Sequence, residues 1–412
     1  MLTFGISPKF FFMKKILTLL LAAVLMVSCN RSAGTASDLL TAVDASLDLA
    51  VKQSLKMAAS VPQGRLPQTI SGDRLRTSDD AWWTSGFFSG ELWYLYEYAG
   101  LDSLKMWAED FTMRVKNQQH TTSNHDVGFM IFCSFGNAYR ITGNKDYLSV
   151  IDTASQSLIT RFNPRTGCIR SWDDRRWEYA VIIDNMMNLE MLLWAGKQFD
   201  NPQFTDIAVT HANTTLRNHF RPDYSTWHVV SYDTITGEAT VKQTAQGYSD
   251  DSAWARGQSW GLYGYTMMYR ETKDPAYLRQ AEHIADLLIN YPGMPEDGIP
   301  YWDYNAPDIP DALRDVSAAA IMCSALLELA DYSAAGARYF EVASRQLESM
   351  CSPAYRAQLG ENCNFLLKHG VGNMPEQSEI DVPLSYADYY YVEAMMRYKS
   401  RITRSATSSG DR

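Results

Sequence analysis

Cysteine is scarce in this chain: there are 6 in 412 residues, and no Cys-x-x-Cys pair occurs. That excludes a small disulfide scaffold and leaves no visible zinc pattern. Glycine has no period, so a collagen-like chain is out, and 46% hydrophobic residues are too many for a disordered one. Positive charge is also in short supply. The formal net charge is −10, which argues against a nucleic-acid partner, because phosphate binding needs clustered Lys and Arg. What is abundant is aromatic: 11 Trp and 24 Tyr, a surplus that suits carbohydrate binding when it is not simply core.

Residues 1–29 read as a signal peptide. Met13-Lys14-Lys15 opens a short charged region, and Ile16 to Val27 is an apolar stretch too short to span a bilayer. The residues before Met13 read as an upstream start. Ser28-Cys29 closes the stretch as a loose lipoprotein signal, with Cys29 the lipid-attachment residue. The remaining chain is three lysines poorer, at −13. These features place the protein in the periplasm or at the outer membrane, touching a membrane only through its lipid. Residues 30–38 read as a flexible tether, 39–400 as one domain and 401–412 as a polar tail. Cys133, Cys168, Cys323, Cys351 and Cys363 remain. The odd number suggests small buried hydrophobes, with a Cys351–Cys363 bridge left open.

From Leu39 onward, apolar residues recur every three or four positions and strand-like alternation is scarce. Over Tyr179–Phe199, Ile182, Met186, Leu189, Leu192 and Leu193 keep one helical face apolar. A long apolar helix, a polar turn and a second amphipathic helix then repeat. The turns lie at Gly100, at Gly143-Asn144, at Asn201-Pro202 and at Asp274-Pro275, which stop one helix and start the next. Inner helices beginning near Trp83, Asp126, Asp184, Trp254, Asp315 and Asp388 are spaced irregularly, by 43 to 73 residues. Six irregular hairpins predict an all-α fold, a closed (α/α)6 barrel, rather than a tetratricopeptide-like solenoid of fixed 34-residue period. One exception is a β-hairpin over Trp227–Val241, turning at Thr236-Gly237.

In such a barrel the inner helices start at one rim, so the residues there converge. An Asp at a helix start is commonly an N-cap, and Asp250 and Asp251, just before the Trp254 helix, fit that role best. Asp184 differs, because Ile182, Ile183, Met186 and Met187 surround it. Apolar surroundings disfavour a carboxylate and suit a general acid. Asp126 would be its partner carboxyl, and neighbouring His125 reads as a hydrogen-bonded wall residue. Arg256, flanked by Trp254 and Trp260, needs an anion, either an internal Asp or a substrate carboxylate. Trp83, Trp254 and Trp260 could be core or sugar platforms.

HDVGF at 125–129, IIDNMMN at 182–188, HVVSYDTITGE at 228–238 and QGYSDDSAWARGQSWGLYG at 246–264 resemble glycoside hydrolase family 88, the unsaturated glucuronyl hydrolases. WTSGFFSGELW at 83–93 and DVPLSYADYYYVEAMMR at 381–397 fit as well, so the likeness runs from about residue 40 to 400. It implies an (α/α)6 barrel that removes a 4,5-unsaturated uronic acid from the non-reducing end of a lyase product. The reaction hydrates the C4=C5 bond rather than displacing at the anomeric carbon. By the same resemblance Asp184 is the general acid and base and Asp126 the second catalytic carboxylate. Trp83, His125, His228, Gln246, Arg256 and Trp260 contact the uronate, and no metal or organic cofactor is involved. The partner implied is an unsaturated uronic-acid oligosaccharide.

One departure concerns sulfate. Relatives that prefer sulfated disaccharides carry hydroxyls and a Lys in the loop before DVPL. Here His369–Glu376 has Gly370 and Met374 instead, leaving Lys368 or a distant arginine as substitutes. Two other functions stay open at this point. One is an unsaturated rhamnogalacturonyl hydrolase acting on pectin fragments; the other is a non-catalytic glycan-binding lipoprotein.

Overall fold

The structure, a computed structural model, describes residues 38–410. The signal peptide, Cys29 and almost all of the tether lie outside the described residues. Within them the chain forms two concentric rings of helices. The inner ring is Phe87–Ala99, Gly128–Gly136 continued by Asn137–Thr142, Leu189–Gln198, Ala255–Thr272, Val316–Leu329 and Ser385–Gly410. Each packs on the next, and the last returns against the first, so the ring closes. The outer ring is a helix over 38–60 followed by Asp102–Arg114, Asp146–Ile159, Pro202–Asn218, Pro275–Ile289 and Gly336–Cys351.

Composition assigns each helix to its ring. In Val316–Leu329 all residues but Glu328 are buried, and alanines let neighbouring helices close in. In Gly336–Cys351 only one stripe is buried, Gly336, Tyr339, Val342, Ala343, Gln346, Leu347, Met350 and Cys351. The turns behave as their residues dictate. Gly100 and Gly143 end helices in the left-handed conformation, at φ 65° and 66°. Asn201 and Asp274 cap the helices that Pro202 and Pro275 open, each cap worth about 1 kcal/mol.

Four differences from the sequence reading matter. Residues 180–182 are a strand, not the start of a helix, and a 3-10 helix, Ile183–Asn188, separates it from Leu189–Gln198. Three further hairpins, Leu66–Ser71 with Arg74–Ser78, Phe162–Asn163 with Cys168–Ile169 and Gly370–Asn373 with Ser378–Val382, escape the helical periodicity altogether. Asp250 caps nothing: the Ala255 helix starts without a side-chain cap, and the Asp250 carboxylate takes the Thr244 N–H instead. The last inner helix also runs on through most of the segment set apart as a polar tail. Cys351 and Cys363 are free thiols, like the other three described cysteines.

Candidate active site

The expected hairpin is present, as Val229–Tyr232 and Ala239–Gln243, with Gly237 at φ 82° in the turn. Ala180–Ile182 adds a third strand to it, pairing Ile182 with Val229. The ladder ends with the Ile183 N–H on the His228 carbonyl, which leaves Asp184 and His228 side by side. His228 Nε2 lies 3.7 Å from Asp184 Oδ2. Its Nδ1 accepts the Ala245 and Gln246 N–H groups, at 3.1 and 3.3 Å. A ring nitrogen receiving two donors carries no proton, so the proton is on Nε2, aimed at Asp184. Burial holds His228 neutral, pushing it down to about 3.

Asp126 enters from the next inner helix. His125 Nε2 is 3.4 Å from Asp126 Oδ1, and His125 Nδ1 is 3.4 Å from the Ser171 hydroxyl. Ser171 Oγ already accepts the Ile182 N–H, so the wall behind Asp126 is tied to the strand leading to Asp184. Burial lowers His125 to about 3 as well, in keeping with a wall residue.

Neither carboxyl caps a helix. Asp184 is raised to about 7, chiefly by burial; Arg256 pulls it down and the charge of Asp126 pushes it up. Asp126 is also raised to about 7 by burial, against Arg161. Trp260 directs its indole N–H at Asp184 and favours the carboxylate, from beyond the length of a formed hydrogen bond.

The two carboxyls open into a cavity of about 440 Å³ at the rim where the inner helices start. Trp83, His125, Gln246 and Arg256 line it with them. His228 and Trp260 do not. Both are sealed behind Asp184, and Trp260, 0% exposed, packs on Phe129 and Tyr390 as core rather than as a platform. Arg256 is not held between Trp254 and Trp260. Its guanidinium lies between Trp254 and Tyr386, 4.6 and 5.3 Å from the ring centres. It takes its internal anion from Asp315, at 3.1 Å, and donates to the Val371 and Gly372 carbonyls at 2.6 and 2.5 Å. Three donors are thereby used. Two of the fork's five, on Nε and Nη2, take no partner among the described residues, and the residue borders the cavity.

Tyr386, Trp172 and Arg176 also line the cavity, and no sequence argument singled them out. Tyr386 was findable, since it sits one residue into the last inner helix, at the rim where the other site residues cluster. Arg176 is a mouth residue, paired to Asp174 at 2.7 Å. Lys368 reaches only the Pro353 carbonyl, away from the cavity. Among the described residues, no group of three or more His, Cys, Asp or Glu is placed to hold a metal.

A double helical ring with two carboxyls raised toward neutrality at its rim defines an acid–base enzyme acting on a small polar ligand. The chain belongs to glycosyl hydrolase family 88, whose profile it matches over residues 57–400. It is 46% identical to an unsaturated glucuronyl hydrolase of Formosa agariphila, over 78% of this chain and 81% of that one. It is 33% identical to an unsaturated chondroitin disaccharide hydrolase of Streptococcus pneumoniae, over 78% and 82%. Among solved structures, an unsaturated glucuronyl hydrolase specific for heparin superposes with a TM-score of 0.87 at 47% identity, covering 88% of this chain and 98% of that one. The Bacillus sp. GL1 unsaturated glucuronyl hydrolase gives 0.81 at 28% identity, covering 87% and 98%. The protein is a glycoside hydrolase.

Proposed function

We infer that this enzyme removes a 4,5-unsaturated uronic acid from the non-reducing end of lyase-generated glycosaminoglycan disaccharides. The observation that carries the reading is Asp184, raised to about 7 beside a second buried carboxyl and an arginine with free donors. Both carboxyls sit at about 7 and the charge of Asp126 raises Asp184, so near neutral pH the pair shares one proton; in this reading Asp184 holds it and delivers it to C4 of the double bond. The positive charge that develops at C5 faces Asp126, whose carboxylate stabilises it. Asp184, now ionised, takes a proton from the water that attacks C5. The resulting hemiketal opens and releases the second sugar. The charge moves between the carboxyls and the sugar, and His228, kept neutral, only faces Asp184 with its Nε2, from 3.7 Å.

Arg256 aims its two remaining donors at the uronate carboxylate, and Trp83 and Gln246 wall the ring. The loop residues at the mouth are Gly372, Asn373 and Glu376, with Arg176 already engaged by Asp174. Among the residues lining the cavity the two arginines, Arg176 and Arg256, are each paired with an aspartate and stand beside Asp174, Glu376 and Glu379, a balance that favours an unsulfated leaving sugar. The enzyme acts after export, anchored through a lipid on Cys29. Cys29→Ser then moves it from the membrane to the soluble fraction, and an unchanged fractionation removes the anchor.

The test is loss of the ultraviolet absorbance of the conjugated C4=C5 bond. The panel holds unsulfated and sulfated chondroitin, hyaluronan and heparin products, and an unsaturated rhamnogalacturonan fragment. Decay on glycosaminoglycan products, fastest on unsulfated ones, supports the reading. Decay on the pectin fragment alone replaces the substrate class, and no decay with folded protein overturns the hydrolase.

A further inference from the structure

Both carboxyls stand on backbone that is not α-helical. Asp126 lies two residues before a π-helix, Gly128–Gly136, and Asp184 lies inside the 3-10 helix Ile183–Asn188. Such segments are uncommon, and π-turns occur often at functional sites. Here they meet at one point. Asn188 Oδ1 accepts the Phe129 N–H at 3.0 Å, satisfying a first-turn donor that the π-helix leaves free. Gly128 makes the contact sterically feasible, because a Cβ there would stand 2.7 Å from Asn188 Cα and 2.7 Å from its Oδ1. A backbone atom at that distance cannot yield.

Asn188 is fully buried, and its Nδ2 has no partner. A leucine would fill nearly the same space without stranding a buried amide, so the amide is kept at a cost to stability. Costs of that kind gather where function needs the group. Asn188 does not line the cavity, so it cannot be serving the sugar directly.

We propose that Asn188 is a positioning residue: seated on Gly128, its amide oxygen locks the turn after Asp126 to the turn bearing Asp184 and so sets the spacing of the two carboxyls. This rests on the roles given above to Asp126 and Asp184. Loss of the acceptor lets the two turns slide past one another. The proton donor then no longer lies over C4 while Asp126 faces C5, although every sugar contact on the cavity wall survives.

The experiment compares Asn188→Leu with wild type on the disaccharide that wild type hydrolyses fastest. It adds substrate affinity by calorimetry in the inactive Asp184→Asn background, a thermal melt, and the Asp126→Asn/Asn188→Leu double variant. Asn188→Leu is expected to lower kcat by about tenfold or more, with KM and Kd within about twofold. In the Asp126→Asn background the same change should cost less than about threefold, since a carboxylate that is gone has no placement to lose. A merely structural asparagine would not give that non-additivity. If the leucine variant melts below the assay temperature, Asn188→Ala, which adds no bulk, is read by the same criteria. An active wild type with kcat within twofold for the variant, or with equal losses in both backgrounds, overturns this inference alone. A folded wild type without turnover overturns the functional reading and this inference with it.

Discussion

The two ends of the barrel hold carboxyls of nearly equal burial and opposite character. At the rim, the Asp184 side chain is 12% exposed and raised to about 7. At the far end, lining a second cavity, the Glu328 side chain is 10% exposed. Burial pushes Glu328 up too, but Arg397 and Arg270 outweigh it and leave it below its usual value. Arg270 grips both Glu328 oxygens at 3.0 Å, Arg397 adds a 2.9 Å contact, and Glu393 beyond it is filled by Tyr94, Tyr263 and Ser324. Burial alone therefore does not make a catalytic acid. Asp184 stays reactive because its neighbours donate weakly: a neutral imidazole at 3.7 Å, an indole N–H just out of reach, and an arginine already engaged by Asp315.

Removing the charge at each end should break the comparison in opposite ways. Asp184→Asn is expected to lower kcat by about 10³-fold or more while disaccharide affinity changes little. Retained kcat would end the assignment of the proton donor. Glu328→Gln should leave kcat and KM within about twofold, yet destabilise the fold by about 1.5–3 kcal/mol, because Arg270 and Arg397 lose one of their carboxylates and keep only Glu190, Glu271 and Glu393. Thermal melts alongside kinetics separate the two, and a Glu328→Gln enzyme with an unchanged melting temperature would make that network dispensable.

The chain made one half of this comparison more legible than the other. Helical hairpins could be read because period and punctuation are local: Gly143 or Asn201-Pro202 acts within a few residues. Asp184 could be singled out for the same reason, since its apolar neighbours are adjacent in sequence. The strand Ala180–Ile182 could not, because three apolar residues continue a helical pattern and the partner strand that defines them lies beyond residue 228. The π-turn after Asp126 leaves no trace in composition, as it changes only which carbonyl each N–H meets. Arg256 posed the converse difficulty. Its need for an anion was evident, but Asp315, 59 residues away, is found only by closing the ring. His228 and Trp260, given sugar contacts by resemblance, do not line the cavity in the folded chain and lie buried behind Asp184.

Arg256 joins the two kinds of carboxyl, since it neutralises Asp315 and faces the cavity at once. Arg256→Lys keeps a cation for Asp315 but loses the planar fork. KM for the disaccharide should rise about tenfold, with kcat within about threefold, because the fork holds the sugar in ground and transition states alike. An unchanged KM would confine Arg256 to its ion pair.

The smallest effect sharpens the comparison most. If weak donation keeps Asp184 an acid, weakening it further should extend the pH range over which it remains one. Trp260→Phe removes an indole N–H that favours the carboxylate, and the ring stays packed on Phe129 and Tyr390. The sign follows from which form the donor stabilises: without it the carboxylate is less favoured, and Asp184 keeps its proton to a pH higher than about 7. Because the proton must be present for C4 to receive it, the fall in kcat/KM on the alkaline side should move up by about half a pH unit. That corresponds to somewhat less than about 1 kcal/mol for the lost donor. Activity well below pH 7, where the acid form is already full, should hardly change. A limb that stays in place, or moves down, would mean that the indole does not act on Asp184 and that its environment is set by burial and Arg256 alone.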